Sequence, residues 1–290
     1  MKDNTIKTVT VYGAGVMGRQ IALNAAANGF DVRLADTFPD ACSKASAWAE
    51  EFLGGSVEKG KMTREAADEA LARMSYFQTI AEAAVDSDLI IEAIIEDEEI
   101  KRDLFKTVNA AAPKDAIIST NSSYIPSSHF AGDVDNPGRL CNLHYFNPAM
   151  LMKLVEIVRG EHTDDETVQI LENFVKSVGK QSIVVNKEIE GFVVNRLLRA
   201  CQNEAFFLYE NGIASIEDID TGAEKGLNYP MGPFRLLDLA GIDICYMNRQ
   251  KTYEKTGRPE DKPPAFLEEK YKKGEFGRKT GKGWYDYSGK

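Results

Sequence analysis

A strand, a glycine turn and a helix in direct succession near the start restrict this chain more than any other stretch. Thr8-Val-Thr-Val-Tyr12 has the β-branched, apolar character of a buried strand, and Gly13-Ala-Gly-Val-Met-Gly18 follows at once. A helical pattern then covers 16–28, Gly29 supplies a stop, and a second strand over 31–35 leads to Asp36, 23 positions after Gly13. Glycines cluster in many turns, so GxGxxG alone is weak. Placed between strand and helix, with an acidic residue at that distance, it points strongly to a dinucleotide. Gly13 permits the tight turn, Gly15 lets a diphosphate approach the backbone, and Gly18 lets helix and strand pack closely. The positive end of the helix dipole favours the diphosphate. Gly13, Gly15, Val16, Met17 and Gly18 are therefore the positions expected to meet the cofactor. Asp36 can accept hydrogen bonds from a ribose diol and would repel a 2′-phosphate, which favours NAD(H) over NADP(H). Arg33, close by, works against that preference, and the plainer reading of Asp36 is a turn residue after a strand.

The same texture continues to about residue 185. Strands are expected at 7–12, 89–93, 116–119, 140–143, 153–158 and 182–185 besides 31–35, and helices at 40–57, 64–73, 98–111 and 165–178. Alternation of this kind predicts an α/β fold, a Rossmann-type domain with a mostly parallel sheet. Two helical patterns in a row between 40 and 73, joined by Glu58-Lys-Gly-Lys-Met62, predict an inserted helical hairpin. After about Asn186 only helical patterns follow, at 191–211, 215–225, 234–249 and 264–271, so an all-α C-terminal domain is expected. The boundary is placed at Lys187, giving an NAD-binding domain over 1–187 and a helical substrate and dimerisation domain over 188–290. The pattern over 191–211 is apolar around much of its circumference, which predicts burial on more than one side, in a core or a subunit interface.

A formal net charge of −10 argues against a nucleic-acid or anionic-membrane partner. No apolar run approaches the roughly 20 residues that span a bilayer. Cys42, Cys141, Cys201 and Cys245 form no CxxC pair, so ordinary thiols are expected rather than a zinc site or a disulfide framework. Met1-Lys-Asp-Asn-Thr5 leads into the first strand without a signal-peptide core, which makes the cytoplasm the expected compartment.

Of three histidines, His144 stands at the end of an apolar run, in Cys141-Asn-Leu-His-Tyr-Phe-Asn-Pro148. Glu156, twelve residues on, lies within the next strand, Lys153-Leu-Val-Glu-Ile-Val158. If the two strands pair antiparallel about the intervening turn, His144 and Glu156 face each other. A carboxylate beside the imidazole would fix its tautomer and stabilise its protonated form. Oxidation of a secondary alcohol needs such a base for the hydroxyl proton. His129 and His162 are expected to be exposed loop residues.

His144-Tyr-Phe-Asn-Pro148 with Met152-Lys-Leu-Val-Glu156 resembles the signature segment of the 3-hydroxyacyl-CoA dehydrogenase family. Further segments match in the same order: Glu92-Ala-Ile-Ile-Glu96 with Lys101, Ser119-Thr-Asn-Ser-Ser123, Gly191-Phe-Val-Val-Asn-Arg-Leu197, Tyr229-Pro-Met-Gly-Pro-Phe234 with Asp238, and the glycine-rich tail through Tyr285. The resemblance spans essentially the whole chain, whose length suits the short monofunctional members. It implies interconversion of a short-chain (3S)-3-hydroxyacyl-CoA, such as 3-hydroxybutyryl-CoA, and its 3-oxoacyl-CoA with NAD as cofactor. It makes His144 the acid/base residue and Glu156 its orienting partner, with Ser123 and Asn195 bonded to the reacting oxygens of the substrate. Asn147 would line the same pocket near the nicotinamide, Glu96 and Lys101 would flank the nicotinamide ribose, and Ala93, Asn121 and Lys279 would meet the cofactor as well. The hairpin would cover the CoA moiety, with Lys59 and Lys61 toward its phosphates, and a homodimer would form through the C-terminal domain. One departure stands out: Tyr124-Ile-Pro126 follows Ser123 where relatives commonly carry a small hydroxyl residue and leucine.

Two rival readings remain. A dehydrogenase of a free hydroxy or sugar acid, resembling gulonate dehydrogenase, would share the glycine loop but differ around His144. A non-catalytic NAD(H)-binding protein would keep the fold without the chemistry; the joint presence of His144, Glu156, Ser123 and Asn195 speaks against it. Plain structural readings also exist: a loop for Ser123, an exposed helix position for Asn195, and solvated charges for Lys59, Lys61 and Lys279.

Overall fold

The structure, a computed structural model, describes residues 6–289, so Met1–Thr5 lies outside the described residues. Eight strands form one sheet: β1 (Thr8–Tyr12), β2 (Asp31–Ala35), β3 (Met74–Phe77), β4 (Leu89–Glu92), β5 (Ile117–Thr120), β6 (Leu140–Tyr145), β7 (Leu154–Val158) and β8 (Gln181–Val185), in the order β3-β2-β1-β4-β5-β6-β7-β8. All neighbours are parallel except β6 and β7. The central strands read as continuous apolar runs because helices cover both faces; every residue of β4, β5 and β6 is buried. The covering helices are α1 (Val16–Ala27), α2 (Ala41–Glu58), α3 (Arg64–Ala72), α4 (Ile80–Ala84), α5 (Glu98–Ala111) and α6 (Asp165–Ser177). One core layer gathers Val9, Val11, Ile21, Leu34 and Leu171, the other Tyr12, Ile90, Phe105, Ile118 and Phe130. Local signals set the helix starts: the Thr63 hydroxyl accepts from Ala66 N–H ahead of α3, and Asp97 accepts from Ile100 N–H ahead of α5.

β3 and α4 were not expected from the sequence. Met74-Ser-Tyr-Phe77 is too short to announce a strand, and it exists because β2 offers a free edge, pairing Val32 with Met74 through Ala35 with Phe77. β6 runs two residues further than the apolar pattern suggested, which places His144 inside the strand.

The chain turns back after β3 to lay β4 on the other side of β1, so the glycine loop opens at a topological switch point. Gly13 sits at φ 95°, and a Cβ there would lie 2.5 Å from the Ala93 carbonyl oxygen. At Gly18 a Cβ would lie 1.7 Å from the Gly13 oxygen, whereas at Gly15 it would meet nothing within 4 Å. Gly13 and Gly18 thus close the turn, and Gly15 leaves open space in front of α1.

The chain divides into two compact units, one ending at Val193 and the other beginning at Val194. The second holds α7 (Val194–Glu210), α8 (Ile216–Thr221), α9 (Pro233–Ala240), α10 (Ile242–Thr256) and α11 (Ala265–Lys272). The single helix expected over 234–249 is two, broken at Gly241 with φ 108°. The helix expected from residue 191 starts at Val194, because Gly191 and Phe192 are left-handed. Within the single chain, Ala205 and Phe206 of this helix are enclosed, while Leu197 and Phe207 are exposed. The core of this unit is built from Phe206, Phe234, Leu237, Ile242 and Leu267, with Tyr209, Phe266 and Trp284 against it. Two buried carboxylates tie its loops. Asp220 accepts from Phe234 N–H, Arg235 N–H and Tyr285 O–H, and Asp238 accepts from Trp284 N–H, Tyr285 N–H and Tyr287 O–H. Gly277 and Gly283 pack so closely on Asp238 that a Cβ on either would meet its atoms at 2.3 Å or less. Among the described residues no helix is long and apolar enough to cross a membrane.

Gly18→Ala is expected to cost about 1–3 kcal/mol, because backbone rather than a flexible side chain blocks the new methyl. Gly15→Ala, facing open space, is expected to cost less than about 1 kcal/mol. Urea midpoints of the two variants against the parent check the contrast.

Candidate active site

Parallel strands deliver their last residues to one edge of the sheet. Gly13 follows β1 there, Ala93 follows β4, Asn121–Ser123 follow β5, and His144 lies near the end of β6. β7 runs the other way, so its early residues reach the same edge, and His144 stands directly opposite Glu156 in the register. The connection between these strands is pinned by Lys180, whose ammonium donates to the carbonyls of Ala149 and Met152 at 2.6 and 2.7 Å. Burial holds that ammonium below the ordinary lysine range.

Nδ1 of His144 lies 2.7 Å from Oε2 of Glu156, and the two residues are 3% and 0% exposed. The other carboxylate oxygen accepts the backbone N–H of Val193 at 3.0 Å. In the neutral imidazole, a carboxylate partner selects the tautomer with the proton on Nδ1 and the lone pair on Nε2. Ser123 Oγ lies 2.9 Å from Nε2, so the serine hydroxyl donates to it. The rings of Phe146 and Phe192 stand edge-on to the imidazole, with centroids 4.7 and 5.4 Å away. The histidine is thus braced on one nitrogen and in contact with a hydroxyl on the other, a geometry that can pass a proton.

A second polar cluster supports the loop that carries Ser123. Lys101, only 1% exposed, lies 2.5 Å from Glu92 Oε1 and 3.2 Å from Glu96 Oε2. Thr120 O–H and Ile94 N–H also donate to Glu92, while Ser122 O–H and Tyr124 N–H donate to Glu96. Burial pushes the Glu92 carboxyl upward against the pull of Lys101, Thr120 and the Ile94 N–H. Burial acts the same way on Glu96, but Lys101 and the Ser122 and Tyr124 donors outweigh it and hold that carboxyl below its usual range. Removing one partner from a buried pair of this kind typically costs about 3–5 kcal/mol, since a charge stays behind without compensation. Asn142 completes the platform, accepting Ser127 N–H and donating to the carbonyls of Ser122 and Ile125.

The dinucleotide cradle is equally fixed. Asp36 accepts Ala14 N–H on one oxygen and Phe38 N–H on the other, so the glycine loop itself sets the position of the carboxylate at the end of β2. Arg33 is held elsewhere: it lies over the Phe77 ring, donates to the Glu82 carbonyl at 2.6 Å and lies 3.5 Å from Asp86. The open space at Gly15, the free first turn of α1 and the anchored Asp36 fit NAD. Val16 is exposed and Met17 half-buried at this turn.

The remaining expected residues are spread. Asn121 accepts Tyr145 N–H through its side chain at 2.8 Å, and Asn147 is exposed in the β6–β7 connection. Lys59 and Lys61 are exposed in the turn between α2 and α3. Asn195 is half-buried in the first turn of α7, and Lys279 is paired with Asp243 at 2.6 Å, both within the second unit. His129 is exposed and paired with Glu98. His162 differs from expectation: it is half-buried, packed so tightly on Gly160 that a Cβ there would lie 2.3 Å from its ring, and 3.4 Å from Ser127 Oγ. Sequence reasoning assigned no role to Glu92, Ser122, Asn142 or Phe192. Only Glu92 carried a signal, as a carboxylate ending a buried strand nine residues before a lysine.

Comparison with known proteins agrees with this geometry along the whole chain. The family model of the 3-hydroxyacyl-CoA dehydrogenase NAD binding domain matches residues 8–189, and that of the C-terminal domain matches residues 191–287. A 3-hydroxybutyryl-CoA dehydrogenase of Bradyrhizobium diazoefficiens is 38% identical over 284 residues, 98% of this chain and 96% of that protein. The crystal structure of (S)-3-hydroxybutyryl-CoA dehydrogenase from Ralstonia eutropha superposes with a TM-score of 0.87 at 35% identity, covering 98% of this chain and 99% of the other. A diketoreductase, described as acting on dicarbonyl compounds, superposes at 0.89 with 32% identity, with 98% and 99% covered. Both halves of the chain thus carry the marks of one lineage, and the protein belongs to the 3-hydroxyacyl-CoA dehydrogenase family of NAD-dependent oxidoreductases.

Proposed function

We propose that the protein interconverts short-chain (3S)-3-hydroxyacyl-CoA, above all 3-hydroxybutyryl-CoA, and the matching 3-oxoacyl-CoA, with His144 as acid/base and Glu156 as its orienting partner. The observation that carries this reading is the chain of contacts from Glu156 through both imidazole nitrogens to Ser123. NAD supplies a two-electron hydride acceptor. In the oxidation, His144 Nε2 takes the C3 hydroxyl proton while the hydride leaves the same carbon. Glu156 stabilises the imidazolium that results, and in the reduction the imidazolium returns its proton to the oxygen. Ser123, freed from Nε2, and Asn195 are proposed to hydrogen-bond the reacting oxygens.

Within this reading, the segment 1–187 binds the cofactor through Gly13, Gly15, Val16, Met17, Gly18, Asp36, Ala93 and Asn121. Glu96 faces the nicotinamide ribose with Lys101 holding it in place from behind, and Asn147 and Lys279 approach the cofactor when it is bound. Lys59 and Lys61 are proposed to meet the CoA phosphates; their exposure in the α2–α3 turn suits that task. The segment 188–290 is proposed to form a homodimer, a role suited to the exposed Leu197 and Phe207 of α7. Four free cysteines suit a cytoplasmic setting. The diketoreductase likeness favours a second reading, in which the ketone substrate carries no CoA.

His144→Gln is expected to lower turnover about 10²–10⁴-fold while NADH fluorescence titrations stay close to the parent. Glu156→Gln, which would present an amide N–H to Nδ1 and place the proton on Nε2, is expected to lose about 10³-fold. Near-normal turnover in either variant would remove the pair from its assigned role. Initial rates with acetoacetyl-CoA, free acetoacetate and a dicarbonyl ketone, each with NADH and NADPH, should favour acetoacetyl-CoA with NADH; equal rates on the free acids would select the second reading. Sedimentation at micromolar concentration should give a dimer, and a monomer would end that proposal.

A further inference from the structure

The turn that leads into α7 is strained. Gly191 has φ 78° and Phe192 φ 47°, two consecutive residues in the left-handed region. Glycine enters that region freely, whereas for a bulky residue such as phenylalanine it is a rare conformation that persists only where surroundings impose it. The surroundings here are specific. The Phe192 side chain is buried among Val158 of β7 and Val185 of β8, and its ring stands at 65° to the His144 imidazole. The next residue, Val193, donates its N–H to Oε1 of Glu156, while Nδ1 lies against Oε2. Both contacts come from the same turn, because the sign of φ at Phe192 decides where the following peptide N–H points.

A carboxylate shut away from water needs a partner on each oxygen. Held by Nδ1 on one side and Val193 N–H on the other, Glu156 cannot rotate without losing a bond. The imidazole is restrained as well, by the steeply inclined rings of Phe146 and Phe192 packed against it. We infer that Gly191-Phe192-Val193 is a positioning element of the acid/base pair: the Val193 N–H fixes the plane of the carboxylate, and the Phe192 ring fixes the plane of the imidazole. This rests on the reading of His144 as the acid/base residue. Phe192 touches no reacting atom and acts only through His144 and Glu156.

Phe192→Asn separates the ring from the turn, since asparagine tolerates the left-handed region. Phe192→Leu keeps most of the apolar volume. Acetoacetyl-CoA reduction would be followed across the pH range in which imidazole titrates, together with NADH binding and the downfield proton resonance of the carboxylate-bonded His144 Nδ1–H. In Phe192→Asn, kcat should fall about 10- to 100-fold, with both KM values changing less than about threefold. Its imidazole limb in the pH profile should move, and the downfield resonance should shift or broaden. Phe192→Leu should recover kcat to within about threefold of the parent while its resonance still shifts, the ring being gone. Unchanged kcat, pH profile and resonance in Phe192→Asn, beside an inactive His144→Gln, would overturn the inference and leave the acid/base reading intact. An active His144→Gln would overturn the reading itself. If Phe192→Asn does not fold, the leucine variant decides alone: an unmoved imidazole limb in its pH profile overturns the inference, and a moved one with retained NADH binding supports it.

Discussion

The imidazole of His144 meets a carboxylate with no exposure to water, and the two come together because β7 runs against β6. In a wholly parallel sheet the early residues of the next strand would lie at the far edge, away from the glycine loop. Reversal of one strand brings an acidic position to the edge where β1, β4, β5 and β6 end. A buried carboxylate is costly unless both oxygens are satisfied, and this requirement spreads outward. One oxygen takes the imidazole and the other takes a backbone N–H. The imidazole, tied at Nδ1, then presents Nε2 to Ser123 and, in the proposed reaction, to the alcohol.

The same economy of partners governs the loop that carries Ser123. Glu92 and Lys101 are shut away from water and Glu96 is half-buried beside them; one ammonium serves the two carboxylates, and hydroxyls of Thr120 and Ser122 take up further acceptor positions. Because these donors sit immediately before Ser123, the charges at the end of β4 determine the path of the chain after β5. The glycine loop, the charged platform and the histidine pair are three rigid arrangements on one sheet edge, each satisfied within itself.

Much of this was legible in the residues. A glycine loop between strand and helix, with Asp36 at its distance, is a local pattern whose physical meaning is nearly unique, and it announced both the doubly wound sheet and NAD. The facing of His144 and Glu156 was expected on the condition that the two apolar runs pair antiparallel about the turn between them, and the register meets that condition. What stayed hidden depends on contacts remote in sequence. β3 is a strand only because β2 lacks a neighbour, so Met74–Phe77 shows little periodicity of its own. Glycine at 191 could be read as a helix start, and nothing in Phe192 reports a positive φ. Gly241 sits within an otherwise helical pattern and interrupts it through its own conformation. The half-buried setting of His162 against Gly160 is invisible without the fold.

The interior of the helical unit has a further implication for how this chain can vary. Asp238 is screened from water, yet its acceptors are filled by the backbone of Trp284 and Tyr285 and by the hydroxyl of Tyr287, almost the last of the described residues. Final segments of most domains tolerate trimming and drift because little depends on them. Here residues 284–287 carry a buried charge, since without them the Asp238 carboxylate would lose all three of these donors. That stretch is therefore as constrained as a central strand, although it belongs to no regular element of the sheet.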